Sequence, residues 1–395
     1  MISDKLEQFI QEHSNDDPYN LVLQQKKYPD IDVRFASEQI QCRQLIRHKL
    51  PHWYATPKLY YPSRLATEQC SSEMTAKYKQ QMIYGNSLCD LTGGLGVDSY
   101  YFSLIADKVI YVEQNKLYCE AAQNNFTALQ RDNIEVIHGN CMDLIDALPT
   151  VDCFYIDPAR RGENNSRLFA IDQCEPNILN IKDRLLKKSS RVIIKVSPMI
   201  DITASLTLLP ETIEVHINSV RNECKEILFI LSEISDSQEP KIICNNLSKE
   251  NDSSFTFVQS EERTTKVEFT STIGEYIYEP NASIMKAGGY KAFANRFGLL
   301  KLHSNSHLYT SVNIDTNVLL HARGFLIVEI MPLDKSTLKN IKKKYPQANI
   351  AVRNSIFTVD EFRKRSNIKE GGELYMFVTT LYNEDSVIII GKKVV

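Results

Sequence analysis

Glycine is scarce in this sequence and is concentrated in one place. The chain of 395 residues has 14 glycines, about half the share of roughly 7% that is typical of globular proteins. None occurs before Gly85, and none lies between Gly162 and Gly274. Gly93, Gly94 and Gly96 fall within four residues. This concentration predicts a loop in which the backbone closely approaches another group.

Long apolar runs and paired cysteine motifs are also absent. No run of about 18 apolar residues exists, which excludes a membrane-spanning helix. The N-terminus carries acidic and polar residues and has no signal-peptide core. The nine cysteines include no C-x-x-C pair, which favours reduced thiols over a disulfide framework or a zinc site. We therefore expect a cytoplasmic protein without a metal.

Acidic and basic residues are unevenly distributed along the chain. The net charge is −3, but the chain from Glu279 onward has 17 Lys and Arg against 10 Asp and Glu. A basic C-terminal region indicates a polyanionic partner. A solvated surface with unevenly distributed charge explains the same count.

The hydrophobic pattern divides the chain into regions. Residues 1–84 are mostly helical, whereas residues 85–235 alternate strands with helices, which is typical of a parallel sheet. Its last two strands, at 212–220 and 224–231, are separated by three residues, too few for a parallel crossover. We therefore predict five parallel strands followed by an antiparallel hairpin. Residues 236–278 are predicted to be a linker or irregular insertion, followed by a second α/β module from residue 279.

The glycine-rich loop follows the first predicted strand. The sequence there reads Asp90-Leu-Thr92-Gly93-Gly94-Leu-Gly96-Val-Asp98. A strand, a glycine turn and a helix place backbone N–H groups around a polar ligand. The dinucleotide pattern G-x-G-x-x-G is not met, because Ser99 stands at the third glycine. The loop resembles the D-x-x-x-G-x-G motif of class I S-adenosylmethionine-dependent methyltransferases, which implies that these residues bind that cofactor.

Two further strand ends carry candidate cofactor contacts. Glu113 ends the second strand, where a carboxylate can accept hydrogen bonds from both ribose hydroxyls. A surface glutamate beside Lys116 is the alternative interpretation. After the third strand, Asn140 or Asp143 could accept a hydrogen bond from the adenine amino group. Asp143 also suits the start of a helix, where the helix dipole favours a carboxylate.

The fourth strand ends in Asp157-Pro158-Ala159-Arg160-Arg161. Asp157 is expected to face the methyl donor and to hold an amine, so that catalysis is mainly positioning. The segment resembles the (D/N)-P-P-(Y/F) element of amino-group methyltransferases, but Ala159 replaces the second proline and Arg160 the aromatic residue. Arg160 and Arg161 could bind phosphate, stack on a base, or form structural ion pairs.

The combined motifs resemble a bacterial family of class I methyltransferases with a THUMP-like C-terminal domain. The segments that carry the resemblance include SSEMTAKYK, DLTGGLGVDS, YIDPARR and, after residue 277, YEPNASIMKAGGY and GGELYMFVTTL. The family implies a Rossmann-like methyltransferase sheet, a ferredoxin-like segment near 279–322 and a THUMP-like domain near 323–395.

THUMP modules are associated with RNA, chiefly tRNA. The resemblance therefore implies a methyltransferase that acts on tRNA or rRNA at a base nitrogen. The alternatives are a protein or small-molecule acceptor, and an RNA-binding protein that senses the cofactor without turnover.

Overall fold

The computed structural model describes residues 2–160, 171–233 and 239–394. The chain forms two compact units. The first comprises Met1–Glu214 and Ile227–Gln238, and the second comprises Val215–Glu226 and Glu239–Val395.

The first unit begins with six helices. They are α1 (Asp4–Glu12), α2 (Pro18–Leu23), α3 (Val33–Ile46), α4 (Pro51–Ala55), α5 (Arg64–Gln69) and α6 (Glu73–Gln80). Five of them start at a Ser or Asp whose side chain accepts a hydrogen bond from a backbone N–H of the first turn. The exception is α4, where Pro51 occupies the first position.

Strands and helices then alternate, as the hydrophobic pattern predicts. The elements are β1 (Ser87–Asp90), α7 (Val97–Phe102), β2 (Lys108–Glu113), α8 (Lys116–Ala128), β3 (Ile134–His138), α9 (Cys141–Leu144), β4 (Cys153–Ile156), β5 (Ala159–Arg160), β6 (Cys174–Glu175), α10 (Lys182–Leu186), β7 (Arg191–Val196), α11 (Ile202–Leu208), β8 (Thr212–Val220) and β9 (Glu223–Leu231).

The sheet confirms the predicted class I methyltransferase arrangement. Strands β3, β2, β1, β4 and β7 lie side by side and are parallel. β9 pairs antiparallel with β7, and β8 lies beside β9. Because the carboxyl ends of parallel strands meet at one edge, the segments after β1, β2, β3 and β4 come together there.

The second unit contains residues 215–226 of the β8–β9 hairpin and the chain from residue 239 onward. Its elements are β10 (Lys241–Leu247), β11 (Ser253–Val258), α12 (Gln259–Thr264), β12 (Tyr276–Pro280), α13 (Ala282–Ala287), α14 (Tyr290–Arg296), β13 (Leu300–Lys301), β14 (Tyr309–Ser311), α15 (Thr316–Leu319), β15 (Ala322–Pro332), α16 (Lys335–Lys344), β16 (Asn349–Arg353), α17 (Val359–Ser366), β17 (Leu374–Thr380) and β18 (Ser386–Lys393). β10 lies beside β8 and pairs with β11, and a second sheet has the order β13-β14-β12-β15-β18-β17-β16.

Two expectations from the sequence pattern differ from the structure here. The interval 236–278, expected to be a linker or irregular, contains β10, β11 and α12. The pattern at 281–297 suggests one helix, but the chain forms α13 and α14, because Gly288 adopts a φ of 76° and ends the first. No helix within the described ranges combines the length and the apolar character needed to cross a bilayer.

Candidate active site

The loop between β1 and α7 has a shape that glycine alone permits. A Cβ atom on Gly93 would lie 2.1 Å from the ring of Tyr111, and one on Gly96 would lie 2.8 Å from Phe126. Gly94 and Gly96 have φ angles of 54° and 83°, a left-handed conformation that side chains disfavour. The loop therefore presents bare backbone at the edge of the sheet.

Asp90 and Thr92 hold this loop in place. The carboxylate of Asp90 is buried and accepts hydrogen bonds from Ser99 Oγ at 2.6 Å and from the Thr92 N–H at 3.0 Å. Burial raises the pKa of Asp90 to about 7. The hydroxyl oxygen of Thr92 accepts a hydrogen bond from the backbone N–H of Asp157 at 2.7 Å. The segments that follow β1 and β4 are thus directly joined.

Glu113, at the end of β2, closes over the same loop. Its Oε2 accepts from the Gly94 N–H at 2.9 Å, and its Oε1 accepts from the Asn115 N–H at 2.8 Å. An ionised carboxylate has about four acceptor positions, so both oxygens can still accept hydrogen bonds from a ligand. The alternative interpretation was a surface glutamate beside Lys116. Lys116 forms an ion pair with Glu120, at 4.0 Å.

The two candidates after β3 occupy different places. Asn140 caps α9 by accepting from the Met142 N–H at 2.9 Å, and it lines the cleft at the sheet edge. Asp143 is exposed in the first turn of α9, outside the lining of that cleft. Of the two residues considered for adenine, the structure brings only Asn140 to the cleft.

A cluster of charges around Asp98 was not foreseen from the sequence. Asp98 pairs with the fully buried Lys79 at 3.1 Å and accepts hydrogen bonds from Ser71 Oγ and Tyr155 Oη, each at 2.8 Å. Burial acts to raise the pKa of Asp98, but the ammonium groups of Lys79 and Lys195 hold the pKa of this carboxyl below its usual range. Asp98 therefore stays ionised at the start of α7.

Asp157 follows β4 and also has a lysine partner. Its Oδ2 accepts a hydrogen bond from Lys195 Nζ on β7. The carboxylate side chain remains 36% exposed, so one side of it is open to a ligand. Pro158 is buried behind it. The sequence contains Lys195 within the predicted fifth strand, but only the pairing of β4 with β7 places it beside Asp157.

The arginines of the same segment are only partly described. Arg160 lies in β5, whose backbone pairs antiparallel with β6 opposite Cys174. Arg161 lies outside the described residues. The phosphate, stacking and ion-pair interpretations of both arginines therefore stay predictions.

One cleft of about 270 Å³ collects most of the predicted residues. Those that line it are Asp90, Thr92, Gly93, Gly94, Gly96, Asp98, Glu113, Asn140 and Asp157. Leu65, Ala66 and Gln69 of α5 line it as well and were not predicted. The cleft combines a backbone cradle that a Cβ would fill, a carboxylate with free acceptor positions and an amide. These groups suit the amino-acid, ribose and adenine parts of S-adenosylmethionine.

Comparison with known families identifies the C-terminal part of the chain. A model described as a ferredoxin-like domain matches residues 276–317, and a model described as THUMP domain-like matches residues 322–393.

Comparison with whole proteins also includes the part of the chain that precedes these two domains. The chain is 34% identical to a protein from Porphyromonas gingivalis whose crystal structure is described as that of a "putative methyltransferase". The match covers 100% of both chains with a TM-score of 0.90. Two strains of Mycobacterium tuberculosis each have a relative named as an uncharacterized S-adenosylmethionine-dependent methyltransferase. Each is 21% identical over 325 residues, which are 80% of this chain and 83% of the relative.

Proposed function

Because the chain belongs to the family of S-adenosylmethionine-dependent methyltransferases with ferredoxin-like and THUMP-like C-terminal domains, we propose that it methylates RNA, either tRNA or rRNA, at a base nitrogen. The cofactor supplies an electrophilic methyl group on a sulfonium. Gly93, Gly94 and Gly96 are the residues that would hold its amino-acid part, Glu113 its ribose and Asn140 its adenine.

The observation that carries the RNA proposal is the basic THUMP-like region. The last turn of α16 contains Lys342, Lys343 and Lys344, and the last turn of α17 contains Arg363, Lys364 and Arg365. Lys342 and Lys343 are exposed, and neither makes an ion pair with any residue of the described ranges. Exposed cations clustered on helix ends attract a polyphosphate chain.

The position of Asp157 supports an amino-group acceptor. An ionised carboxylate accepts hydrogen bonds only, so it can bind the two hydrogens of an exocyclic amine and direct the nitrogen lone pair into the cleft. Lys195 Nζ donates a hydrogen bond to Asp157 Oδ2 and so fixes the position of the carboxylate. Asp157 therefore acts by orienting the acceptor, and the proton that the nitrogen releases passes to water.

The test is transfer of a labelled methyl group from S-adenosylmethionine to bulk cellular RNA. The native chain should label RNA, and Asp157→Ala should lower the rate about a hundredfold or more because the acceptor is no longer oriented. Binding of S-adenosylhomocysteine, measured by calorimetry, should be retained. Asp143→Ala, the same change at a carboxylate outside the cleft, is the matched control and should leave the rate unchanged.

Three results would count against parts of this proposal. Equal rates for Asp157→Ala and the native chain would remove Asp157 from the reaction. Label in protein or in small molecules, with none in RNA, would favour the alternative acceptors. Activity on RNA that does not change between 50 and 200 mM salt would contradict a role for phosphate contacts.

A further inference from the structure

A polar groove of about 620 Å³ lies within the second unit, apart from the cleft described above. It is lined by the tip of the β8–β9 hairpin, by the first residues of β15 and by the end of β18. We name it the hairpin groove and define it by Arg221, Asn222, Asn246, Arg323, Tyr375 and Lys393.

The hairpin groove has cations and lacks acidic residues among its lining. Arg221 and Lys393 are exposed, and neither makes an ion pair or a hydrogen bond through its side chain to any residue in the described part of the chain. Arg323 pairs with the buried Glu279, which also pairs with Arg353 at 2.7 Å. Two guanidinium groups thus share one carboxylate, so this trio adds a further positive charge beside the groove.

The remaining polar groups of the groove include unused donors. The side-chain oxygen of Asn222 accepts a hydrogen bond from the Ala282 N–H at 2.8 Å, which leaves its NH2 group as the part available to a ligand. Cations and donors without a competing carboxylate are complementary to phosphate oxygens, which only accept hydrogen bonds.

The backbone at the hairpin tip gives independent support. Arg221 and Asn222 form a two-residue turn and have φ angles of 53° and 58°. Turns of this kind favour Asn and Gly, because other side chains are strained in the left-handed region. An arginine at the first position therefore lies in a conformation that its side chain disfavours, and such strain is typical of functional positions.

We infer that the hairpin groove binds the phosphodiester backbone of the RNA substrate, with Arg221 and Lys393 as the main phosphate contacts. This inference rests on the proposed function and specifies a second RNA-contacting surface for it. It is separate from the basic ends of α16 and α17.

The experiment compares RNA affinity for full-length variants by fluorescence anisotropy with labelled bulk tRNA, from 50 to 200 mM salt. Arg221→Gln with Lys393→Gln should weaken binding about tenfold at the lower salt. The salt slope, which is the change in log affinity with log salt concentration, should decrease in magnitude by about 2, close to 1 for each phosphate that is no longer neutralised. Lys26→Gln with Lys27→Gln removes two exposed lysines of the first unit and should leave both quantities unchanged.

A glycine variant separates RNA binding from a structural role. Glycine adopts a positive φ without strain, so Arg221→Gly should keep or raise the melting temperature. The same variant should weaken RNA binding about threefold, because it removes one of the two charges that the double variant removes. If Arg221 only stabilised the turn, Arg221→Gly would leave RNA affinity unchanged.

The outcomes distinguish this inference from the proposed function. If the native chain binds RNA and the double variant binds it with the same affinity and salt slope, the inference about the hairpin groove is overturned and the proposed function is not. Absence of RNA binding by the native chain at 50 mM salt would overturn both.

Discussion

In the first unit, two carboxylates of the cleft are paired with lysines inside the protein: Asp98 with Lys79, and Asp157 with Lys195. In the second unit, Arg221 and Lys393 are exposed and make no ion pair with any described residue. The first arrangement fixes the geometry of a small ligand before it binds, because the charges already have their partners. The second leaves charge available for a large, flexible polyanion. Changing a charge should therefore alter mainly stability in the first unit and mainly binding in the second.

The strongest test of this contrast is Lys79→Ala. The change leaves Asp98 charged and buried without its cation, which should lower the free energy of unfolding by about 3–5 kcal/mol. Urea denaturation followed by circular dichroism measures it. Lys77→Ala, in the same helix but with an exposed pair to Glu73 at 2.5 Å, should change stability by less than about 1 kcal/mol. Similar losses in the two variants would contradict the contrast.

The pH dependence of stability tests the buried Asp90. Its pKa is raised to about 7 by burial, so between about pH 4 and 7 the folded chain keeps a proton that the unfolded chain has released. Asp90 therefore lowers the free energy of unfolding by up to about 1.4 kcal/mol per pH unit as the pH rises through this window. Asp90→Asn should remove this decline.

The matched control for the pH experiment is Asp152→Asn. Hydrogen bonds from the Ser87 hydroxyl and the Asn86 N–H lower the pKa of Asp152, so its titration lies below the window. Denaturation curves at pH 5, 6, 7 and 8 should give the native slope for Asp152→Asn. A native slope for Asp90→Asn as well would refute the prediction.

A pair of glycines, one in each unit, separates steric fit from backbone strain. Both have a positive φ, 83° for Gly96 and 59° for Gly298. A Cβ atom on Gly96 would collide with the ring of Phe126, whereas a Cβ atom on Gly298 would have no atom within 4 Å. Gly298→Ala should cost about 1 kcal/mol of stability from strain alone. Gly96→Ala should cost about 1–3 kcal/mol more from overpacking and should weaken S-adenosylhomocysteine binding. Equal costs would show that the loop can relax.

The smallest effect on stability is expected for the exposed lysines at the end of α16. Lys342→Gln with Lys343→Gln should change the free energy of unfolding by less than about 0.5 kcal/mol, yet should weaken tRNA binding several-fold with a shallower salt dependence. Anisotropy titrations and urea denaturation of the same samples measure both quantities. A loss of stability without a loss of affinity would reverse the contrast between the units.

The sequence predicted the sheet and the glycine loop because both depend on local signals. Apolar runs separated by helical segments indicate parallel strands, and a short interval between two strands requires a hairpin. The positions of Glu113 and Asp157 in the cleft were predictable, because the carboxyl ends of parallel strands lie at one edge of such a sheet.

Other parts of the site depend on contacts between distant segments. Lys195 Nζ contacts the carboxylate of Asp157, which lies 38 residues earlier in the chain. Lys79 is buried in α6, and the residues next to it in the sequence do not predict that burial. The Asn- and Ser-rich β10 and β11 carry a weak strand signal, because polar residues disfavour strands unless neighbouring strands supply hydrogen bonds. Asn140 and Asp143 were both considered for adenine, and only the structure shows that the start of α9 brings Asn140 to the cleft and leaves Asp143 outside it.

The hydrogen bond from the Asp157 N–H to the Thr92 hydroxyl joins the two halves of the cleft. A ligand that displaces Thr92 at the glycine loop also displaces the backbone that carries the Asp157 carboxylate. By thermodynamic linkage, any such coupling would be reciprocal, and a ligand at Asp157 would change affinity at the glycine loop by the same factor. This single bond is therefore a physical route by which the two ends of the cleft could be coupled.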